Sequence, residues 1–170
     1  MEIIYRKTIA TPLGEMFACS VDEGICLLEF TDRKNIVKQL QSLSTTLNAE
    51  IVEGNHPHFK QLEIELAEYF EGKRNTFQTP LFITGTDFQK KVWQLLREIP
   101  LGETRTYKQQ SEILGNPKAI RAVGTANGIN KIAILIPCHR VIGSNGELIG
   151  YAGGIWRKQK LLELEKAILF

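Results

Sequence analysis

No hydrophobic run in this chain of 170 residues approaches the ~20 residues that a membrane span needs. Nor does the N-terminus, Met-Glu-Ile-Ile-Tyr-Arg-Lys, have the basic-then-apolar order of a secretory leader. A cytoplasmic protein without membrane contact is the expectation. Cysteine is scarce: Cys19, Cys26 and Cys138 are odd in number and none forms a Cys-x-x-Cys pair, which excludes a disulfide framework and points to free thiols in a reducing compartment. Repeats and low-complexity tracts are missing too. A composition of 43% hydrophobic and 24% charged residues excludes disorder and leaves room for one compact domain or two small ones. The glycine-rich stretch near the C-terminus has no Gly-Lys-Ser/Thr ending, so it is no phosphate cradle of the nucleotide-hydrolase kind.

The net charge of +2 conceals an asymmetry. Residues 1–85 carry 8 Lys+Arg against 12 Asp+Glu, a balance of −4, whereas residues 86–170 carry 13 against 7, a balance of +6. A basic half gains free energy from polyanions by releasing their counterions, which suits a nucleic-acid partner; keeping a domain soluble is the plainer use of the same charge.

In the acidic half, Ile3 to Ala10, Glu15 to Asp22 and Ile25 to Phe30 read as strands, separated by turns at Thr11-Pro12-Leu13-Gly14 and Glu23-Gly24, and together make an antiparallel meander. Asp32 stands where an N-cap belongs, and Ile36, Val37, Leu40 and Leu43 follow at helical spacing. A short strand over Ala49 to Val52 and a second helix bearing Phe59, Leu62, Ile64, Leu66, Tyr69 and Phe70, ended by Gly72, complete a small α+β unit. Cys19 and Cys26 with His56 and His58 could make a zinc site, but the spacing matches no ligand pattern, and thiols inside strands serve as small hydrophobes. A scaffold role follows. Phe77 to Thr86, interrupted by Pro80 and Gly85, is the expected linker, dividing a domain of residues 1–84 from one of residues 85–170.

The basic half opens with a capping box, Thr86 and Gln89, before a helix whose stripe is Phe88, Val92, Leu95, Leu96 and Ile99 and which Pro100 and Gly102 stop. Thr106 and Gln109 repeat the box for a short helix running to Leu114 and Gly115. After three residues a further helix is expected, with Asn116 as cap, Pro117 in the first turn and Asn127-Gly128 as a left-handed exit. Ala119, Ile120, Val123 and Ala126 should pack inward, leaving Lys118, Arg121 and Asn127 to face phosphates or bases. Helix, turn, helix on a basic half suits DNA; an ordinary αα-hairpin has the same outline.

Next comes the apolar run Ile132 to Ile136, leading into Pro137-Cys138-His139-Arg140-Val141. A cysteine at its ordinary pKa is only a few per cent thiolate at neutral pH, so a nucleophilic role needs a base or a positive environment, and His139 and Arg140 stand beside it. Neighbours on an extended chain point apart, so His139 requires a bend or a bridging water to reach the sulfur. The last helix carries Ile155, Leu161, Leu162, Leu164 and Ile168 on its apolar side, and Glu165 falls on that face. Either this carboxylate is buried against a histidine that it holds in one tautomer, or it lies at the edge of the stripe and reaches water. Val141 to Gly146 reads as a hairpin turn. Leu148 to Gly154 reads as a glycine-rich loop able to approach a ligand closely, with Tyr151 as an aromatic wall.

Pro137-Cys138-His139-Arg140-Val141, with Arg121-Ala122-Val123-Gly124 before it and Tyr151-Ala152-Gly153-Gly154 after it, closely resembles the O6-alkylguanine-DNA alkyltransferases, across essentially all of residues 86–170. The resemblance implies an α+β protein: a ribonuclease-H-like N-terminal domain, then a winged helix-turn-helix domain that binds double-stranded DNA by the minor groove and flips the damaged base into a pocket. It implies a monomer with no cofactor and no metal, in which Cys138 takes the alkyl group from O6-alkylguanine, or O4-alkylthymine, once and irreversibly. Carried over residue by residue, His139 acts through water as base for Cys138 and Glu165 holds His139. Tyr107 donates to N3 of the guanine, the Ala152 N–H contacts O6, and the carbonyls of Cys138 and Val141 accept from the exocyclic amine. Arg121 fills the gap in the stack, and Asn130 ties the recognition helix to the active-site segment. Lys131 follows Asn130 where many members have proline, and Ala152 stands where some have serine, a change that spares the backbone donor. The regulatory domain fused to some bacterial members is absent, so no transcriptional role is implied. Two rival classes stay open: a damage-sensing DNA binder without transfer activity, and a thiol hydrolase that turns over repeatedly.

Overall fold

A computed structural model describes residues 2–167, and the chain divides into two compact units, Met1–Ile83 and Thr84–Phe170. In the first, strands β1 (Glu2–Thr11), β2 (Gly14–Val21) and β3 (Gly24–Phe30) form the expected antiparallel meander. Helix α1 (Ile36–Leu47) then carries the chain to β4 (Ala49–Glu53), which pairs with β1 in parallel, giving the order β3-β2-β1-β4, and helix α2 (Pro57–Phe70) follows. Ile4, Val21, Leu27, Leu40 and Leu43 share one apolar cluster with Cys19 and Cys26.

Several local expectations are corrected here. Asp32 does not cap α1. The N-cap is Asn35, in the left-handed region at φ 68° with no side-chain cap bond, because a turn through residues 31–35 uses up the intervening chain. Val37 and Ile64 leave the core faces and are 64% and 52% exposed, since each lies off the arc through its buried neighbours. The segment expected as a linker is largely structural. Ile25 N–H donates to Pro80 O (2.8 Å) and Phe82 N–H to Ile25 O (2.8 Å), so residues 80–82 cover the open edge of β3. Glu65 fixes the approach to that edge: its buried carboxylate accepts from Thr79 N–H (2.9 Å), Thr79 Oγ1 (2.6 Å) and Gln78 N–H (3.0 Å).

In the second unit, α3 (Asp87–Arg97) and α4 (Tyr107–Ile113) both start with complete capping boxes, at Thr86/Gln89 and Thr106/Gln109. α5 (Ile120–Gly128) begins later than the sequence suggests. Residues 117–119 form a turn in which Ala119 N–H donates to Asn116 O (3.0 Å), so neither Asn116 nor Pro117 starts the helix and the link from α4 spans residues 114–119. The left-handed exit is likewise absent, because neither Asn127 nor Gly128 has a positive φ. Instead Ile129 N–H keeps the ordinary helical bond to Thr125 O and α5 tightens after it through Asn130 N–H to Asn127 O, each 3.2 Å. Ile120 is 42% exposed, Asn127 only 6%. Trp93, beside the anticipated α3 stripe, is buried and donates its indole N–H to Ala126 O (2.9 Å), joining α3 to α5.

Cys138–Arg140 is a single 3-10 turn, followed by β6 (Val141–Ile142). β6 pairs in parallel with β5 (Arg105–Thr106), not with a hairpin partner, and residues 143–147 are a tight turn closed by Gly143 N–H to Glu147 O (2.8 Å). The last helix, α6 (Ile155–Leu164), buries Leu161 and Leu162. Ile155 is 41% exposed in its first turn, Leu164 is half-buried, and Ile168 lies outside the described residues. Among the described residues no helix is long and apolar enough to cross a membrane.

The hydrogen bonds to Glu65 outweigh its burial and hold its pKa below the ordinary carboxylate value. The stability it contributes is therefore complete above the unfolded-state pKa and is lost as pH falls through the folded one. Glu65→Gln is expected to cost about 1–3 kcal/mol at neutral pH, with the gap from wild type closing as pH drops below about 4, as read by chemical denaturation at several pH values.

Candidate active site

Glu165 ends α6 as its C-cap and is 3% exposed, so its charge must be matched inside the protein. The 3-10 turn supplies the match. His139 Nε2 lies 2.6 Å from Glu165 Oε2, while Arg140 donates from Nε to Oε1 (2.8 Å) and from a terminal nitrogen to Oε2 (3.2 Å). Arg140 also donates to Ile99 O (2.7 Å), just beyond α3. Burial alone raises the Glu165 pKa, but His139 and Arg140 outweigh it and bring it down to about 2, so the carboxylate is ionised at any physiological pH. His139 is wholly buried, and desolvation, the largest influence, holds its pKa below the ordinary value despite Glu165. A neutral imidazole donating its Nε2–H to a carboxylate has its lone pair on Nδ1. That atom is buried and has no hydrogen-bond partner within the protein.

Cys138, partly exposed, lines a cavity of about 140 Å³. One side of the lining is α5, through Gly124, Asn127 and Gly128; another is the loop Gly150, Tyr151 and Ala152; Tyr107 completes it. Asn130, buried just past α5, donates from Nδ2 to Ile136 O (2.8 Å) and to Cys138 Sγ (3.3 Å), and its Oδ1 accepts from Ile132 N–H (3.0 Å). Between them Ile134 is held at φ 72°, a conformation that costs a β-branched residue about 1–3 kcal/mol. This turn thus trades local strain for a fixed cysteine. Tyr107 Oη donates to Ile149 O (3.1 Å), and burial, followed by the charge of Cys138, raises the phenol's pKa, keeping it a donor.

The structure therefore gathers Cys138, Tyr107, Tyr151 and Ala152 around one cavity, with His139, Glu165 and Asn130 buried behind it. Val141 is buried and not on the lining, and the Cys138 carbonyl already accepts from the Val141 N–H, leaving one lone pair. Lys118 and Arg121 are exposed, on the turn before α5 and in its first turn. Asn127, expected to face outward, is buried, because four residues after Val123 the helix returns to the same inward face. Among the described residues no cluster of His, Cys, Asp and Glu is arranged to hold a metal. Cys19 and Cys26 are core residues, whereas His56 and His58 turn to Asp22, at 3.2 Å from its carboxylate and 2.8 Å from its carbonyl.

The sequence reading passed over one residue altogether, Lys158. Fully buried, it donates from Nζ to Ile149 O (2.9 Å) and Gly150 O (3.2 Å) and lies 5.9 Å from the centre of the Tyr107 ring. Burial lowers its pKa to about 8, while the charge of Cys138 opposes the shift. Its position three residues before Leu161 and four before Leu162 carried the signal, since that spacing shares their face of α6.

Residues 4–83 match the family model for the ribonuclease-like domain of 6-O-methylguanine DNA methyltransferase, and residues 87–167 the model for its DNA binding domain. A methylated-DNA–protein-cysteine methyltransferase of Methanosarcina barkeri is 44% identical over 96% of this chain and 98% of its own. Crystal structures of the Mycobacterium tuberculosis O6-methylguanine methyltransferase, and of Mycobacterium tuberculosis OGT in complex with DNA, are each 39% identical over 96% of this chain and 93% of theirs, with TM-scores of 0.82 and 0.81. With both halves of the sequence matched in order, and a buried Glu-His pair beside a cysteine at a small cavity, this chain belongs to the 6-O-methylguanine DNA methyltransferase family.

Proposed function

We propose that this chain repairs DNA by moving the alkyl group of O6-alkylguanine, or O4-alkylthymine, onto Cys138 in a single irreversible step. The observation that carries the reading is the unpartnered Nδ1 of His139, set as a lone-pair acceptor by Glu165, in the residue next to a cysteine that lines a cavity. A water between Nδ1 and Sγ relays the thiol proton to the imidazole. The thiolate then attacks the alkyl carbon in line with the departing oxygen. A C–S bond forms as the C–O bond breaks, the oxygen keeps the electron pair, and the freed base takes up one proton, so charge balances. Tyr107 donates to N3 of guanine as that charge develops, while the Ala152 N–H contacts O6. The carbonyls of Cys138 and Val141 accept from the exocyclic amine, and Asn130 holds Sγ toward the cavity. No cofactor takes part, and the thioether ends the protein's working life.

DNA is the partner. The Mycobacterium tuberculosis relative has been crystallised in complex with DNA, and here the exposed Lys118 and Arg121 lie on and just before a helix of the basic half. In this reading α5 enters the minor groove and Arg121 occupies the place of the extruded base, whose removal costs a few kcal/mol. Residues 1–84 are the scaffold domain and residues 85–170 the DNA-binding, catalytic one. The chain acts as a monomer in the cytoplasm, whose reducing conditions suit its three free thiols. A purely damage-sensing role leaves the cavity cysteine unexplained, and repeated hydrolysis requires a route for water to release a stable thioether.

Incubation with duplex DNA containing O6-methylguanine is expected to add one methyl group per chain, on the Cys138 peptide, and to stop there by mass spectrometry. Cys138→Ser should bind the duplex and gain none. An unmodified wild-type cysteine on bound DNA, or several methyls released per chain, contradicts the reading. Lys158 makes a second expectation. Its ammonium, present below about pH 8, favours the Cys138 thiolate and secures the 149–150 carbonyls, and it is lost as pH rises through that value. The transfer rate should fall above about pH 8, whereas Lys158→Met should be about tenfold slower at neutral pH and lack that alkaline decline.

A further inference from the structure

The lining of the Cys138 cavity on α5 is built almost without side chains. Gly124 and Gly128 contribute backbone, and between them Asn127 alone presents a functional group. Its residue exposure is 6%, yet neither Oδ1 nor Nδ2 has a hydrogen-bond partner of normal geometry within the protein. A buried carboxamide left in that state forfeits about 1–3 kcal/mol, which no packing need explains, since an apolar residue would fill the same space. Asn127 and Tyr107 line the same cavity, and a weak hydrogen bond from the amide to the phenol oxygen opposes the rise that burial and the Cys138 charge give the phenol, leaving the second amide N–H and Oδ1 uncommitted. Asn127 therefore keeps a donor and an acceptor available where a substrate base would lie.

Resting on the transferase reading above, we infer that Asn127 is a specificity-determining residue that lets one pocket accept both purine and pyrimidine O-alkyl lesions, by offering either end of its amide to the base. The edges of the two bases differ in a way that a group able both to donate and to accept, such as an amide, can serve. O6-alkylguanine presents an amine donor beside the N3 acceptor, so Oδ1 shares an amine hydrogen with one of the two carbonyls in a three-centre bond while Tyr107 serves N3. O4-alkylthymine has no donor on the corresponding edge: its O2 and N3 are both acceptors, so the amide must turn and donate from Nδ2. Rotation about the terminal side-chain torsion exchanges the two ends at little cost, because that torsion has a broad, roughly two-fold profile. Guanine keeps further partners in the Cys138 and Val141 carbonyls. Thymine, with fewer, depends on Asn127 more heavily.

The test compares transfer rate constants from two duplexes differing only in the lesion, O6-methylguanine or O4-methylthymine, for wild type, Asn127→Asp and Asn127→Leu. Asp has nearly the shape of Asn but only acceptors, so the thymine-to-guanine ratio should fall about tenfold or more. The ratio cancels any effect of the added charge on sulfur reactivity, because both substrates meet the same nucleophile. Leu removes both ends of the amide and should slow both transfers. Wild-type transfer from both lesions, with the ratio falling in the Asp variant, supports the inference. A ratio unmoved by Asp, or wild-type transfer from guanine alone, overturns it. Should the Asp variant be inactive or unfolded, Leu decides: a larger loss for the thymine lesion than for the guanine one supports the role, and equal losses or two unchanged rates refute it. A wild-type protein that leaves both lesions intact sinks the transferase reading itself, a distinct outcome.

Discussion

The Glu165 carboxylate, held between an imidazole and a guanidinium with almost no water, is the interaction on which the rest of the second unit depends. A lone buried carboxylate costs several kcal/mol, and removing one partner of a buried pair typically costs about 3–5 kcal/mol. Here the three groups come from the end of α6 and one 3-10 turn, and Arg140 extends the link to the Ile99 carbonyl beyond α3. The same contact does two tasks. It docks the last helix on the reactive turn, and it decides which nitrogen of His139 carries the proton. Burial chiefly keeps the histidine neutral and therefore basic, and Arg140 adds to this by supplying the positive charge that Glu165 requires.

Around that centre, backbone placement is fixed by local means. Capping boxes start α3 and α4 at defined residues, the Trp93 indole joins α3 to α5, and Asn130 grips both the strained turn at Ile134 and the sulfur. Lys158 gathers two carbonyls of the 149–150 loop, one of which also receives the Tyr107 hydroxyl. Several groups that bound the cavity are thus held by hydrogen bonds of their own, whereas the Asn127 amide has no partner of normal geometry. Such a site meets its substrate with little rearrangement, which is how preorganised donors lower a barrier.

Much of this architecture is legible in the amino-acid order. Strand alternation and turn residues give the meander, the two Thr-x-x-Gln boxes mark their helices, and the spacing from Leu161 places Glu165 inward. What eludes a reading of patterns is polar burial. Lys158, Arg140 and Asn127 look like surface residues by type, yet each sits inside because a partner or a ligand site waits there, and periodicity assigns a face without revealing what meets it. Asn116-Pro117 misleads for a different reason. It has good helix-start chemistry, but in this chain it forms a separate turn that delays α5 to Ile120. Residues 80–82 read as a linker because of Pro80, whose missing N–H is no handicap where its carbonyl does the bonding at the sheet edge.

The central claim, that burial and Arg140 keep His139 neutral while Glu165 sets its lone pair on Nδ1, is open to a direct measurement. Nitrogen-15 NMR of the histidine side chains reports protonation and tautomer separately, and His139→Gln identifies its signals among those of the three histidines. The account predicts a neutral ring, protonated on Nε2, at pH 7 and still neutral somewhat below the ordinary histidine pKa. An imidazolium at pH 7, or a neutral ring protonated on Nδ1, would contradict it.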